Sequence, residues 1–139
     1  MTTTTAPVRP SPALHITLWV LQALLGALFL AAGLMKLAAP IAQLATSLPW
    51  VTDVPAALVR FVGLAEVAGA LGLLLPSLTR VRPNLTPLAA LGLVAVMVLA
   101  IPFHLSRGEG MMLPMNLLLA ALAGVIAWGR SRQAPIQAR

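Results

Sequence analysis

Four long apolar runs constrain this chain more than any other feature. Ile16–Met35 gives 20 residues without a charge, Leu85–Phe103 gives 19 and Met111–Trp128 gives 18. The remaining run, Val54–Leu75, has 22 residues and is broken only by Arg60 and Glu66. A bilayer core takes about 20 mostly apolar residues per helix, so each run is long enough to cross. Together they occupy 79 of 139 positions and leave only tails and short connections. The chain is 60% hydrophobic and 9% charged, against about 45–50% and about 25% in a soluble domain. A body this small has too much surface to hide so much oil from water. A large soluble catalytic domain is excluded.

The expected fold is all-α: a four-transmembrane-helix bundle with a short interfacial segment between helices 1 and 2. The spans are predicted at about residues 14–38, 54–75, 85–105 and 111–129, within a membrane domain covering 13–130. Residues 1–12, rich in threonine and proline, are expected to form a disordered cytoplasmic tail, and 131–139 a second cytoplasmic tail. Prolines mark the predicted ends. Asp53 is positioned to cap the second span with Pro55 in its first turn, and Pro76 is expected to stop it. Thr86-Pro87 opens the third span, Pro102 predicts a kink near its end, and Pro114 requires the fourth to begin close to Gly110.

Charge sets the orientation. With the N-terminus inside, Arg9, Arg80, Arg82, Arg130, Arg132 and Arg139 lie on that side, and only Lys36, Arg60 and Arg107 on the other. The positive-inside rule then predicts a multi-pass protein of the cell (cytoplasmic) membrane with both termini cytoplasmic. The same basic residues, scattered singly or in pairs, form no stripe that tracks a phosphate backbone, which argues against nucleic acid as a partner. The chain has no cysteine, so thiol chemistry, thiolate metal sites and disulfides are excluded. His15 and His104 fall at opposite ends of the bundle, about 30 Å apart across the core, so they cannot share a haem. No metal site is expected.

Glu66 is the most informative residue. It lies 11 positions after Pro55 and 10 before Pro76, near the middle of its span, where a carboxylate is costly and faces the bundle interior. Two readings stand side by side: an interhelical hydrogen bond that ties the bundle together, or proton handling and ligand contact. Gly63 and Ala70 share its face, with Gly69 and Gly72 nearby, so another backbone can come close. Arg60 sits about 120° around the helix from Glu66 and about 9 Å away along it, so it is expected to snorkel outward or reach across a cavity. Gln22, Phe29, Gly33 and Lys36 share a face of the first span; Lys36 reads as an interfacial anchor or as a functional cation. Asn116 reads as an interhelical hydrogen bond or a ligand contact, and His104 as an interfacial residue. Lys36, Arg60, Glu66, His104 and Asn116 come from all four spans and map to the midplane or the outer half, while the inner half looks nearly featureless. One polar site opening outward is the expectation, with Glu66, Lys36 and Arg60 as its catalytic set and His104 and Asn116 as ligand-binding residues.

At these residues the chain resembles a known family. Phe29-Leu-Ala-Ala-Gly-Leu-Met-Lys36, Arg60-Phe-Val-Gly-Leu-Ala-Glu66, Gly69-Ala-Leu-Gly-Leu-Leu-Leu-Pro76, the His104–Glu109 turn and the ending Ala127-Trp-Gly-Arg130 are similar to the DoxX-like family of small four-span membrane proteins. The resemblance covers roughly residues 14–130. It implies a membrane partner or subunit of an oxidoreductase system, with a small apolar ligand in the outward pocket. No cofactor ligands are evident, and quinone is the cofactor that the resemblance leaves open. Two other classes stay in view: a stand-alone membrane enzyme using Glu66 as general acid/base in isomerase or epoxide-type chemistry, and a small transporter. Expected partners are the lipid bilayer, an oxidoreductase protein and a small apolar ligand, with homo-oligomerisation open.

Overall fold

A computed structural model describes residues 9–139; the first eight residues of the expected N-terminal tail lie outside the described residues. All regular structure among the described residues is helical. The helix α1 runs Pro12–Ala38, α2 Ile41–Leu44, α3 Ala56–Thr79, α4 Leu85–Ser106 and α5 Leu113–Trp128. A 3₁₀ turn at Pro49–Thr52 follows α2, another at Gly110–Met112 leads into α5, and a π-helical turn at Gly129–Gln133 extends it. Four helical stretches are long and apolar enough to cross a membrane: α1, α3, α4 and the 24-residue run Gly110–Gln133 built on α5. The protein is an integral membrane protein.

Local sequence explains most of the boundaries. Ser11 caps α1, its side chain accepting the Leu14 N–H at 3.2 Å, with Pro12 in the first turn where a missing N–H costs nothing. Gly110–Met112 lets α5 start at Leu113, so Pro114 falls in its first turn. Pro102 is accommodated inside α4, which continues to Ser106.

Two expected boundaries are corrected. Pro76 does not stop α3; the helix passes through it to Thr79 and ends at Arg80, whose φ of 59° is left-handed. In lipid a helix tolerates an internal proline when neighbouring groups satisfy the disturbed backbone. Here Gln22 of α1 donates its side-chain amide to the Leu73 carbonyl, in the turn before Pro76, at 2.6 Å. Nor does Asp53 cap α3. The residue before the helix is Pro55, without a side-chain cap, and Asp53 is instead paired with Arg107 at the start of the α4–α5 connection.

The bundle is ordered α1–α3–α4–α5, each helix packing chiefly on the next, with a lighter closing contact between α5 and α1. Its dry centre is built from Leu25, Phe29, Leu73, Leu93, Met97 and Ile126. The outward side chains are also apolar: Phe61 is 66% exposed, Leu88 62% and Leu99 72%, which is the surface a bilayer would solvate. The expected interfacial segment takes the form of α2 and its 3₁₀ turn. Leu44 and Val51 fold onto Val59 of α3, with Trp50 packed beside them. Trp50 meets Phe103 of α4 edge-on, ring centres 5.8 Å apart. This cap closes the end of the bundle opposite the chain termini, here called the far end; the other is the terminal end.

Candidate functional site

The centre of the candidate site is an ion pair between α1 and α3. Lys36 Nζ donates to both oxygens of Glu66, at 2.8 and 3.1 Å, and both residues are buried. Two glycines make the pair reachable. A Cβ on Gly33 would lie 2.7 Å from the Gly63 carbonyl oxygen, and one on Gly63 would lie 2.8 Å from the Lys36 Cβ. The backbones of α1 and α3 therefore touch, one turn from each charged residue. The helices are antiparallel, and helical side chains slant toward their own N-terminus. Lys36, near the end of α1, thus reaches deeper into the bundle while Glu66 reaches toward the far end, and they meet. An amine and a carboxylate removed from water need this mutual contact.

Arg60 stands one turn from Gly63 on the far side and makes no bond to Glu66. Its Nη1 donates to the carbonyls of Lys36 and Ala39, the latter at 2.8 Å. Those carbonyls have no partner further along α1, because the helix ends at Ala38 before Pro40. The guanidinium is therefore the C-terminal cap of α1, where a cation also suits the helix dipole. It closes a helix end rather than reaching across a cavity.

His104, at the end of α4, belongs to a second charged group. Its Nδ1 lies 2.7 Å from Glu109 Oε2, and Arg107 donates to Glu109 Oε1 at 2.9 Å and to Asp53 Oδ2 at 2.6 Å. The Glu109 carboxyl is held below its ordinary range, first by the hydrogen bond from His104 and then by Arg107. The Arg107 guanidinium is raised, chiefly by its bond to Asp53. This network clasps the α1–α3 connection to the α4–α5 connection, and Arg107 also lies over the Phe103 ring at 5.6 Å. Asn116, in the first turn of α5, carries a buried side-chain amide nitrogen with no hydrogen-bond partner among the described residues.

The five expected site residues thus sort into a buried pair with its cap (Lys36, Glu66, Arg60), a clasp containing His104, and the unsatisfied Asn116. No hydrogen bond or ion pair joins these groups to one another among the described residues. No cluster of three or more His, Asp or Glu side chains that could hold a metal occurs among them.

The expectation of a featureless inner half is corrected at the terminal end. Arg130, counted from the sequence as an orientation charge, is 3% exposed. Its Nε donates to Gln22 Oε1 at 2.5 Å and its Nη1 to the Ala134 carbonyl at 3.1 Å. Gln22 also meets Ser77, and Ser77 lies 2.8 Å from Thr86. His15 contacts both Trp19 and Arg130, although a neutral imidazole has one acceptor nitrogen and takes only one of these donors. The available signal is Gln22 and Thr86 inside apolar runs, with Ser77 just past the end of one.

A family model described as the DoxX-like family matches residues 20–126. No curated protein and no solved structure matches the chain.

Proposed function

The chain belongs to the DoxX-like family, and from that premise we propose that it is the membrane partner of an oxidoreductase system, holding a small apolar ligand with carbonyl oxygens, of the quinone type, at its far end. The observation that carries the reading is the Lys36–Glu66 pair: an acid and a base in direct contact, buried among apolar helices. A buried ion pair is a poor source of stability compared with apolar packing of the same volume. Its presence is better explained by a task that needs a mobile proton.

The donors present suit such a ligand. Asn116 offers an amide N–H that no group among the described residues takes up, and a carbonyl oxygen is its natural acceptor. A bound quinone would carry electron pairs between the bilayer and the partner protein. Lys36 and Glu66 would hold or release the two accompanying protons in turn, His104 and Glu109 would exchange them with the aqueous side, and the Trp50 cap would keep water out. The expected orientation, with both termini cytoplasmic, places this end outside the cell. The same acid–base contact also suits a stand-alone enzyme with Glu66 as general acid/base, which turnover by the isolated protein would reveal.

The test is purification in a mild detergent, with mass spectrometry of the proteins and small molecules that accompany the wild type and Glu66→Gln. A co-purified oxidoreductase and an apolar carbonyl compound, the compound lost in Glu66→Gln while the helical circular dichroism spectrum is kept, is the expected result. A Gln variant that retains the same ligand and behaviour removes Glu66 from the site and refutes the reading.

A further inference from the structure

All three acidic side chains of the chain are committed at the far half of the bundle: Glu66 to Lys36, and Asp53 and Glu109 to Arg107. Arg130 is therefore a buried cation with no acidic side chain to balance it. Gln22 and the Ala134 carbonyl take two of its donors, and the Trp19 ring lies 5.2 Å from its guanidinium carbon. Its Nη2 is buried and has no partner among the described residues. A charge in that state calls for an anion.

Arg130 lines a cavity of about 560 Å³ at the terminal end, with Arg82 and Asn84 supplying further donors and Ser131 also on its wall. The last residues form its other wall. They fold back across the α3–α4 turn, where Arg80 Nε donates to the Gln137 carbonyl at 2.9 Å and the Arg139 N–H to the Arg80 carbonyl at 3.2 Å. A second cavity, of about 620 Å³, shares Pro87 and Ser131 with the first and runs between α4 and α5 along Leu88, Leu91 and Gly124. A Cβ on Gly124 would meet nothing within 4 Å, so the groove is open there. One end of the joined space is cationic and polar; the other is apolar and lies on the bilayer-facing surface of the bundle.

We infer that this joined space is a binding site for an anionic phospholipid, its phosphate taken by Arg130 and Arg82 and one acyl chain laid in the α4–α5 groove over Gly124. Arg130 offers its Nη2, and the fork of Arg82 matches phosphate oxygens in two parallel hydrogen bonds. Trp128, 53% exposed and lining the groove, has the amphipathic ring that settles at headgroup level. Free phosphate would use the cationic part alone; only a lipid fills both. The inference is independent of the function proposed for Lys36 and Glu66.

The test uses the full chain in a non-ionic detergent, titrated with phosphatidylglycerol, phosphatidylcholine of the same acyl chains, or inorganic phosphate. Binding is read by native mass spectrometry and by the shift in melting temperature. Phosphatidylglycerol is expected to bind and stabilise at concentrations where phosphatidylcholine does neither. Arg82→Gln, at an exposed side chain, should weaken its binding about fivefold, the effect of one basic residue on an anionic lipid. Gly124→Leu should weaken it roughly tenfold by displacing part of the acyl chain, and the open space at its Cβ leaves the lipid-free melting temperature near that of wild type. Arg130→Gln should abolish the preference for phosphatidylglycerol over phosphatidylcholine. Equal binding of the two lipids by wild type overturns the inference. So does a full stabilising shift from inorganic phosphate alone, or unchanged phosphatidylglycerol binding in both Arg82→Gln and Gly124→Leu.

Discussion

Replacing Gly33 by alanine probes the contact on which the candidate site depends. The new Cβ would lie 2.7 Å from the Gly63 oxygen, 2.8 Å from Val67 Cγ2 and 2.9 Å from the Val67 nitrogen, where ordinary contact begins at 3.4 Å. Two of the three atoms are backbone, so no rotamer change relieves them, and α1 must withdraw from α3 by about 0.7 Å. Overpacking of this kind costs roughly 1–3 kcal/mol. At about 3 °C per kcal/mol for a chain of this size, the melting midpoint should fall by roughly 3–9 °C. Gly92→Ala is the control, since a Cβ there meets nothing within 4 Å and alanine is the better helix former. Circular dichroism melts of both variants in one detergent decide the matter. If Gly33→Ala melts with the wild type, or Gly92→Ala falls as far, the close α1–α3 contact is not what holds the pair together.

Lys36→Met leaves a buried carboxylate unpaired and should cost about 3–5 kcal/mol in chemical unfolding, whereas Lys36→Met with Glu66→Leu should recover most of it. Arg60→Met uncaps α1 and should cost about 1.5–3 kcal/mol, with faster amide exchange over residues 37–39 as its local signature. Acid should loosen the clasp at the far end. Glu109 is held below the ordinary carboxyl value of 4.5 by His104 and Arg107, so its contribution is complete above pH 4.5 and is lost as pH falls through the lower folded value. Trp50 emission, with Trp19 and Trp128 replaced by Phe, should report that loss, and Glu109→Gln should remove the transition. For orientation, single cysteines at Thr46 and Thr79, both exposed, should label from outside and inside respectively; reversed labelling refutes the assignment.

The spans are legible in the sequence because solvation by lipid is decided locally, by the run of side chains itself. The pairing of Lys36 with Glu66 is only half legible. Each residue shares a face with a glycine three positions earlier, Gly33 or Gly63, which marks both as facing a close neighbour. Counting positions from the helix ends sets them at different depths, and only the opposed slants of side chains on antiparallel helices close that gap. Asp53 shows the opposite failure. Its place before Pro55 suggests a local cap, and a partner 54 positions away, Arg107, takes it instead. Pro76 reads as a stop because the side chain that donates into the turn before it, Gln22, lies on another helix.

Arg130 is the residue whose sequence reading diverges most from its structure, and the reason is physical. A positive-inside count treats every arginine near a span end as solvated, because orientation depends only on which side the charge stays. Burial depends instead on whether other elements close over it. Here Gln22 comes from α1, and the Ala134 carbonyl comes from the segment after the π-helical turn. That turn places Arg130 and Ala134 so that the side chain of one meets the carbonyl of the other, and the Ala134 N–H returns to the Gly129 carbonyl at 2.7 Å. The far end, by contrast, holds every carboxylate side chain, and the three cations expected on that side, Lys36, Arg60 and Arg107, each have a carboxylate or a helix end as partner. The bundle therefore keeps its charges neutralised at one end and leaves a buried cation at the other. An anion from outside the chain is the simplest means of completing the second end.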